Sequence, residues 1–302
     1  MSGKVKIWLI VATVLIVLGS SIFAVAMAKN GWDFSKLSTT KYQTNEVSLN
    51  EPFNNIYVET TTADIKIVKS QESSKAVFFE QENLKHTAVV DNNTLKISVA
   101  DTRKWYDHIG ISFKAPKVTL YLTETDFQSL QIKTATGDVE VQKDFSFTSV
   151  DVLGETGDVK IIAGATESVK IEVGTGDVFV KDANCKSLEI STSTGDVEVL
   201  NSNVTNSVLI TVTTGDVELD NLISNKSITV NSNTGDVEFE SIDAPNIFIK
   251  TSTGDVEGSV KTGKTFNAKS NTGKVRVPFS TEGGTFVIET GTGDIRVVVS
   301  NN

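Results

Sequence analysis

Cysteine is all but absent. The 302-residue chain has one, Cys185, so no internal disulfide is possible. It falls between two repeats and reads as a small apolar packing residue. Histidine is nearly as scarce, with only His86 and His108. No G-x-S-x-G, H-E-x-x-H or cysteine–histidine pairing occurs, which removes the commonest hydrolase and zinc constellations. Four prolines and 21 glycines are ordinary counts and exclude a collagenous or low-complexity chain. Positive charge is missing where acid is dense. Residues 134 to 257 hold seven lysines against twenty-two carboxylates, within a chain of net charge −10. Phosphate recognition needs clustered Lys and Arg, so nucleic acid is excluded as a partner.

What the sequence has instead is a repeat. Thr-Gly-Asp stands at Thr136, Thr156, Thr175, Thr194, Thr214, Thr234, Thr253 and Thr292, with Thr272-Gly273-Lys274 as a variant, at spacings of 19 or 20 residues up to the variant and on to the last copy. Nine copies at so strict a period mean one structural unit stacked on its neighbours. Apolar columns flank each turn: Val208 and Ile210 before Thr214, Val217 and Leu219 after it, with equivalents in the other copies. They alternate with polar residues and are mostly β-branched, the signature of half-buried strands. Each unit is therefore strand, tight turn, strand and a looser return of about eight residues, the glycine supplying the turn's positive φ. Stacked in parallel at ~4.8 Å, nine units predict a rod about 38 Å long with a continuous aliphatic core. The fold class is all-β, a parallel β-solenoid.

Four regions precede or form the rod. In residues 1–28, Lys4 and Lys6 precede Ile7 to Ala28, which carries no charge and makes about 33 Å of helix, enough to span a bilayer. The lysines place the N-terminus in the cytoplasm and the remainder outside. The alternative is a signal peptide cleaved after Ala26-Met27-Ala28; no cysteine near Ala28 offers a lipid anchor. Residues 29–50 read as a polar linker. Residues 51–130 form an irregular β cap and first rungs, with Glu59 to Ile67 a worn copy in which Ala63 takes the glycine's place. Residues 131–302 are the regular solenoid.

The anchor, the irregular first third and the Thr-Gly-Asp-Val-Glu-Val rungs resemble the putative adhesin family of bacterial envelope proteins. That family is a domain of unknown function that includes LiaG-like proteins of Gram-positive envelope-stress loci. The resemblance spans about residues 45 to 302 and implies the solenoid fold and an envelope role. It brings no catalytic residues.

Two carboxylates ~5 Å apart repel by about 0.8 kcal/mol in bulk water, so the aspartate ladder needs an offsetting interaction. Hydrogen bonds from each turn's own N–H groups would supply it; the alternative is Ca²⁺ held by Asp196, Asp216, Asp236 and Asp255. Glu140, Glu198, Glu218, Glu238 and Glu257 face solvent, interrupted by Lys160, Phe179, Arg276 and Arg296. Thr134, Thr192, Thr251, Thr290, Ser232 and Ser270 predict a hydroxyl ladder. Gly258 to Thr265 spells the phosphate-loop pattern, but strand periodicity continues through Phe266 and Ala268 where that loop needs a helix. Trp105, Tyr106 and His108 form an aromatic cluster in the cap, read as packing or a small binding site. Lys261, Lys264, Lys269, Lys274, Arg276 and Arg296 make the C-terminal rungs basic. The chain ending after Ile295–Ser300 predicts an open edge there, for an anionic wall polymer, a partner protein or a second copy. The functional expectation is a non-enzymatic, membrane-anchored surface rod without cofactor, an adhesin or envelope-stress accessory. A polysaccharide-active enzyme and a Ca²⁺-dependent repeat protein are the alternatives.

Overall fold

The computed structural model describes residues 3–33, 40–101, 114–280 and 282–300. Gly3–Lys29 is a single helix of 27 residues, about 40 Å long and long and apolar enough to cross a membrane. The rest of the described chain is β-structure wound into coils, each lying in register on the next.

The register follows the sequence columns. Val208 pairs between Leu188 and Ile228, and Val217 between Val197 and Val237. All four inward positions of this coil, Val208, Ile210, Val217 and Leu219, are buried. Glycine is obligatory at the turn for two reasons. Gly215 has φ 144°, and a Cβ there would lie 2.1 Å from the Gly195 carbonyl oxygen of the neighbouring coil. That oxygen sits where a side chain would begin.

The expected loose return is in fact a third side of the coil. Asp182, Asn201, Asn221 and Ser241 all adopt positive φ and turn the chain at a second corner. Short polar side chains tolerate this conformation better than others do. The residue after each corner, Ala183, Ser202, Leu222 or Ile242, is fully buried. Asn221 Nδ2 donates to Asn201 Oδ1 at 3.0 Å, tying neighbouring corners. Cys185 lies on this side, pairing with Val204; it is buried, and burial pushes its thiol up to about 11. The packing role expected for it holds.

Both ends depart from simple sequential stacking. At the N-terminal end the worn copy, Asn55–Thr60 and Asp64–Lys69, lies between Asp126–Val141 on one side and Thr94–Asp101 with Lys117–Leu122 on the other. Antiparallel strands then close the stack: Lys75–Gln81 on Lys117–Leu122, and Leu84–Asp91 on Thr94–Asp101. Tyr42–Ser48, inside the stretch expected to be linker, is a further strand paired with Lys75–Gln81. Its Val47, with Leu49 just beyond it, packs on the core.

At the C-terminal end the sequence order is broken. Asn246–Thr253 pairs with Gly284–Thr292, not with Lys264–Thr272, and Lys264–Thr272 pairs with the other side of Gly284–Thr292. Ile295–Val299 is likewise held between Val256–Val260 and Val275–Arg276. The last coil in sequence is therefore next to last in space. The expected open edge at Ile295–Ser300 is corrected: that strand is paired on both sides, and the terminal coil is 264–276.

Candidate functional surface

The aspartates are bound between coils, not within turns. Asp216 N–H donates to Asp196 Oδ1 at 2.8 Å, Asp236 N–H to Asp216 Oδ1 at 2.8 Å, and Asp255 N–H to Asp236 Oδ1 at 2.7 Å. The own-turn hydrogen bonds anticipated from the sequence give way to these, because a parallel stack places each N–H directly above the carboxylate of the coil before. The ladder's remaining backbone groups pair the same way, with Gly215 N–H on the Thr234 carbonyl at 3.0 Å and Val217 N–H on the Asp236 carbonyl at 2.9 Å. A charge-assisted bond at every step offsets the repulsion between stacked carboxylates. Among the described residues, no group of three or more His, Cys, Asp or Glu is arranged to hold a metal ion.

The hydroxyl column is also satisfied differently from expectation. Thr192 and Thr251 Oγ1 each donate 3.3 Å to the glycine carbonyl of the adjoining coil, Gly176 and Gly235, and Thr290 donates to Gly254 at 3.0 Å. These are the carbonyls that exclude a Cβ from the turn, so hydroxyl and glycine serve one arrangement. Thr134 and Ser232 have no such partner.

The outward column beside the turns reads, in spatial order, Lys66, Glu140, Lys160, Phe179, Glu198, Glu218, Glu238, Glu257, Arg296 and Arg276. Lys66 Nζ meets Glu140 at 2.8 Å and holds that carboxyl below its usual range. Burial and the neighbouring Glu218 push Glu198 upward. Glu218, Glu238 and Glu257 line an open groove of about 480 Å³, together with Asp220 and Glu240 from the same coils and Arg296 from the coil beyond Glu257.

Beyond that groove the sign reverses. Lys269, Lys274, Arg276 and Arg296 are exposed, and none is in a salt bridge among the described residues. Lys264 does not join them. It is buried and paired with Asp243, which also disposes of the phosphate-loop reading, since Lys264 opens a strand and is already neutralised. Lys261 is held by Asn221 Oδ1 at 2.6 Å.

The cap contains a buried polar network that the sequence did not announce. His86 Nδ1 lies 2.9 Å from Glu80 Oε2, and its Nε2 lies 3.1 Å from Thr60 Oγ1. Glu80 also accepts from Asn45 and from the His86 N–H. Thr60 is the cap-side end of the hydroxyl column, pairing with Thr134, so His86 terminates that column from above. Trp105, Tyr106 and His108 lie outside the described residues.

A family match decides the chain's kinship: the Toastrack DUF4097 family matches residues 53–227 and again 203–302. The chain belongs to the Toastrack family. No curated protein matches it. Its Toastrack coils are similar to several solved structures. One is a putative adhesin from Parabacteroides distasonis, 13% identical, TM-score 0.53, covering 86% of this chain and 98% of the other. A putative lipid binding protein from the same organism is 15% identical, with TM-score 0.52 and the same coverage. A putative adhesin from Parabacteroides merdae is 13% identical, TM-score 0.51, covering 86% and 97%. At such identities the likeness establishes the fold. The Toastrack architecture turns the repeated Asp, Gly and Thr positions into stacking devices, so surface chemistry is left to the outward columns and the two ends.

Proposed function

We propose that this chain is a non-enzymatic, membrane-anchored extracytoplasmic rod, acting by adhesive contact at the cell envelope through its basic terminal coil. One observation supports this most: the unpaired cations Lys274 and Arg276 lie on the last coil of the stack, with Arg296 one coil behind, at the end opposite the cap and its helix. With Gly3–Lys29 in a membrane, that end faces outward. Two of the three solved neighbours above are named putative adhesins, which agrees with such a role. The turn aspartates are occupied in bonding coil to coil.

The test is capture of envelope material by the full-length chain in lipid nanodiscs. Retention that falls with added salt, as exposed charge attraction does, and that is lost in the triple variant Lys274→Glu/Arg276→Glu/Arg296→Glu with its thermal midpoint unchanged, supports the reading. Undiminished capture by the triple variant defeats it.

A further inference from the structure

The terminal coil has one side unused. Lys264–Thr272 and Val275–Arg276 are hydrogen-bonded to neighbours on one side only among the described residues. A strand in that position presents a row of unpaired N–H and C=O groups. Its core-facing side chains are unfinished as well. Phe266, Ala268 and Val277 are only partly buried against the core, and Val275 is 41% exposed where its counterpart Val217 is 1% exposed. Phe279, on the segment leaving this coil, is 96% exposed. Around this apolar step stand Lys269, Lys274 and Arg276, all outward.

Three features of an occupant follow. Backbone groups in a row call for an extended chain added as a further strand. Half-covered Phe266, Ala268 and Val275 call for apolar residues at alternate positions, since successive side chains of a strand point to opposite faces. Lys269, Lys274 and Arg276 call for acids on the other face. A second tip of this protein meets the first two demands and fails the third, because pairing two such edges opposes like charges across the strands, which is destabilising. Nor would a further Thr-Gly-Asp coil seat as the others do: position 274 has no carboxylate to accept its turn N–H.

We propose that the free edge of Lys264–Arg276 binds an extended, acidic segment of a partner protein by strand addition. This rests on the tip reading above and names the class of partner it serves.

The test uses the full-length chain in nanodiscs and three fluorescent eight-residue probes: alternating Val and Glu, alternating Val and Lys, and the Val/Glu peptide N-methylated at every second residue. Saturable binding of the Val/Glu probe, weakened at least tenfold both by N-methylation and by Lys274→Ala/Arg276→Ala, is the expected result. Amide exchange protected over 264–276 on binding would place the probe on this edge. Equal binding of the N-methylated probe means charge attraction without strand pairing and overturns the proposal, as does absence of binding. A dimer by sedimentation without any probe makes a second copy the occupant and overturns it too. Should envelope capture remain sensitive to the triple charge reversal while the Val/Glu probe fails, strand addition falls and the basic-tip reading stands.

Discussion

The backbone N–H of Lys274 donates to Asp294 Oδ1 at 2.7 Å, although Asp294 comes twenty residues later in the chain. Asp294 N–H in turn donates to Asp255 Oδ1 at 2.7 Å. The aspartate ladder thus runs from Asp255 to Asp294 and back to Lys274, where it ends. Every earlier turn must offer a carboxylate to the coil above it; Lys274 has no described coil above it, and its side chain is free of that duty. The one turn without aspartate is the one turn that needs none.

A stability contrast follows from that difference. Asp216→Ala leaves the Asp236 N–H without its carboxylate partner, and a lost bond to a charged group costs about 1.5–3 kcal/mol. Lys274→Ala removes an exposed side chain and is expected to stay within about 0.5 kcal/mol. Denaturant unfolding of the two variants measures both, and equal losses would mean the ladder contributes nothing.

Glycine gives a sharper contrast within one coil. Even Gly215→Ala places a Cβ 2.1 Å from the Gly195 oxygen at φ 144°, so loss of well over about 2 kcal/mol, or failure to fold, is expected. Glu218→Val on the same coil faces solvent and is expected to change stability by less than about 0.5 kcal/mol. Thermal midpoints and expression of folded protein are the measurements.

Repeat, alternation, glycine turn and apolar helix were all readable, because each depends on a local pattern in the chain. The order of the last two coils was not. Every interface in the stack joins the same columns, Val to Val and Thr to Thr, so a coil at 284–299 fits equally well on 246–260 or on 264–276. Only the missing aspartate at 274 marks the terminal coil, and by itself it is indistinguishable from a variant repeat. Lys264 looked like part of the basic tip because its partner Asp243 belongs to another coil. His86 and Glu80 were unreadable as a pair, since strand pairing in the cap follows no period.

That cap pair carries its own expectation. Both side chains are about 1% exposed, and a buried polar group left without its hydrogen-bond partner costs about 1–3 kcal/mol. His86→Ala should therefore loosen the cap, raising amide exchange in Tyr42–Ser48 and Leu84–Asp91 before the middle coils respond. Exchange that rises uniformly along the rod would show that the cap and the coils unfold as one unit.

Two carboxyls give opposite pH signatures. The folded-state pKa of Glu198 is raised, by burial and by Glu218; the stability it contributes is present below its unfolded value and is lost as pH rises through the folded one. Glu198→Gln should then raise the thermal midpoint near pH 7 and lose that advantage toward about pH 4, where the carboxyl is protonated. Glu140 is lowered by its hydrogen bond to Lys66, so its contribution is present above the unfolded value and is lost as pH falls through the folded one. Lys66→Met should cost at most about 1 kcal/mol near neutrality, the pair being partly exposed, and progressively less in acid.

The coil order itself can be tested by crosslinking. Thr253 and Thr292 are in-register neighbours on adjacent strands, as are Thr272 and Thr292, so each pair has Cα atoms ~4.8 Å apart. A disulfide needs roughly 4.4–6.8 Å. Thr253 and Thr272 lie two coils apart, about 9.6 Å by the same spacing, beyond that reach. All three side chains are exposed, and the native Cys185 is buried and slow to compete. Oxidation should therefore bridge Thr253→Cys/Thr292→Cys and Thr272→Cys/Thr292→Cys, and fail in Thr253→Cys/Thr272→Cys. A bridge in Thr253→Cys/Thr272→Cys with none in Thr253→Cys/Thr292→Cys would restore sequential stacking, return the free edge to Ile295–Val299, and remove Lys274 and Arg276 from the tip.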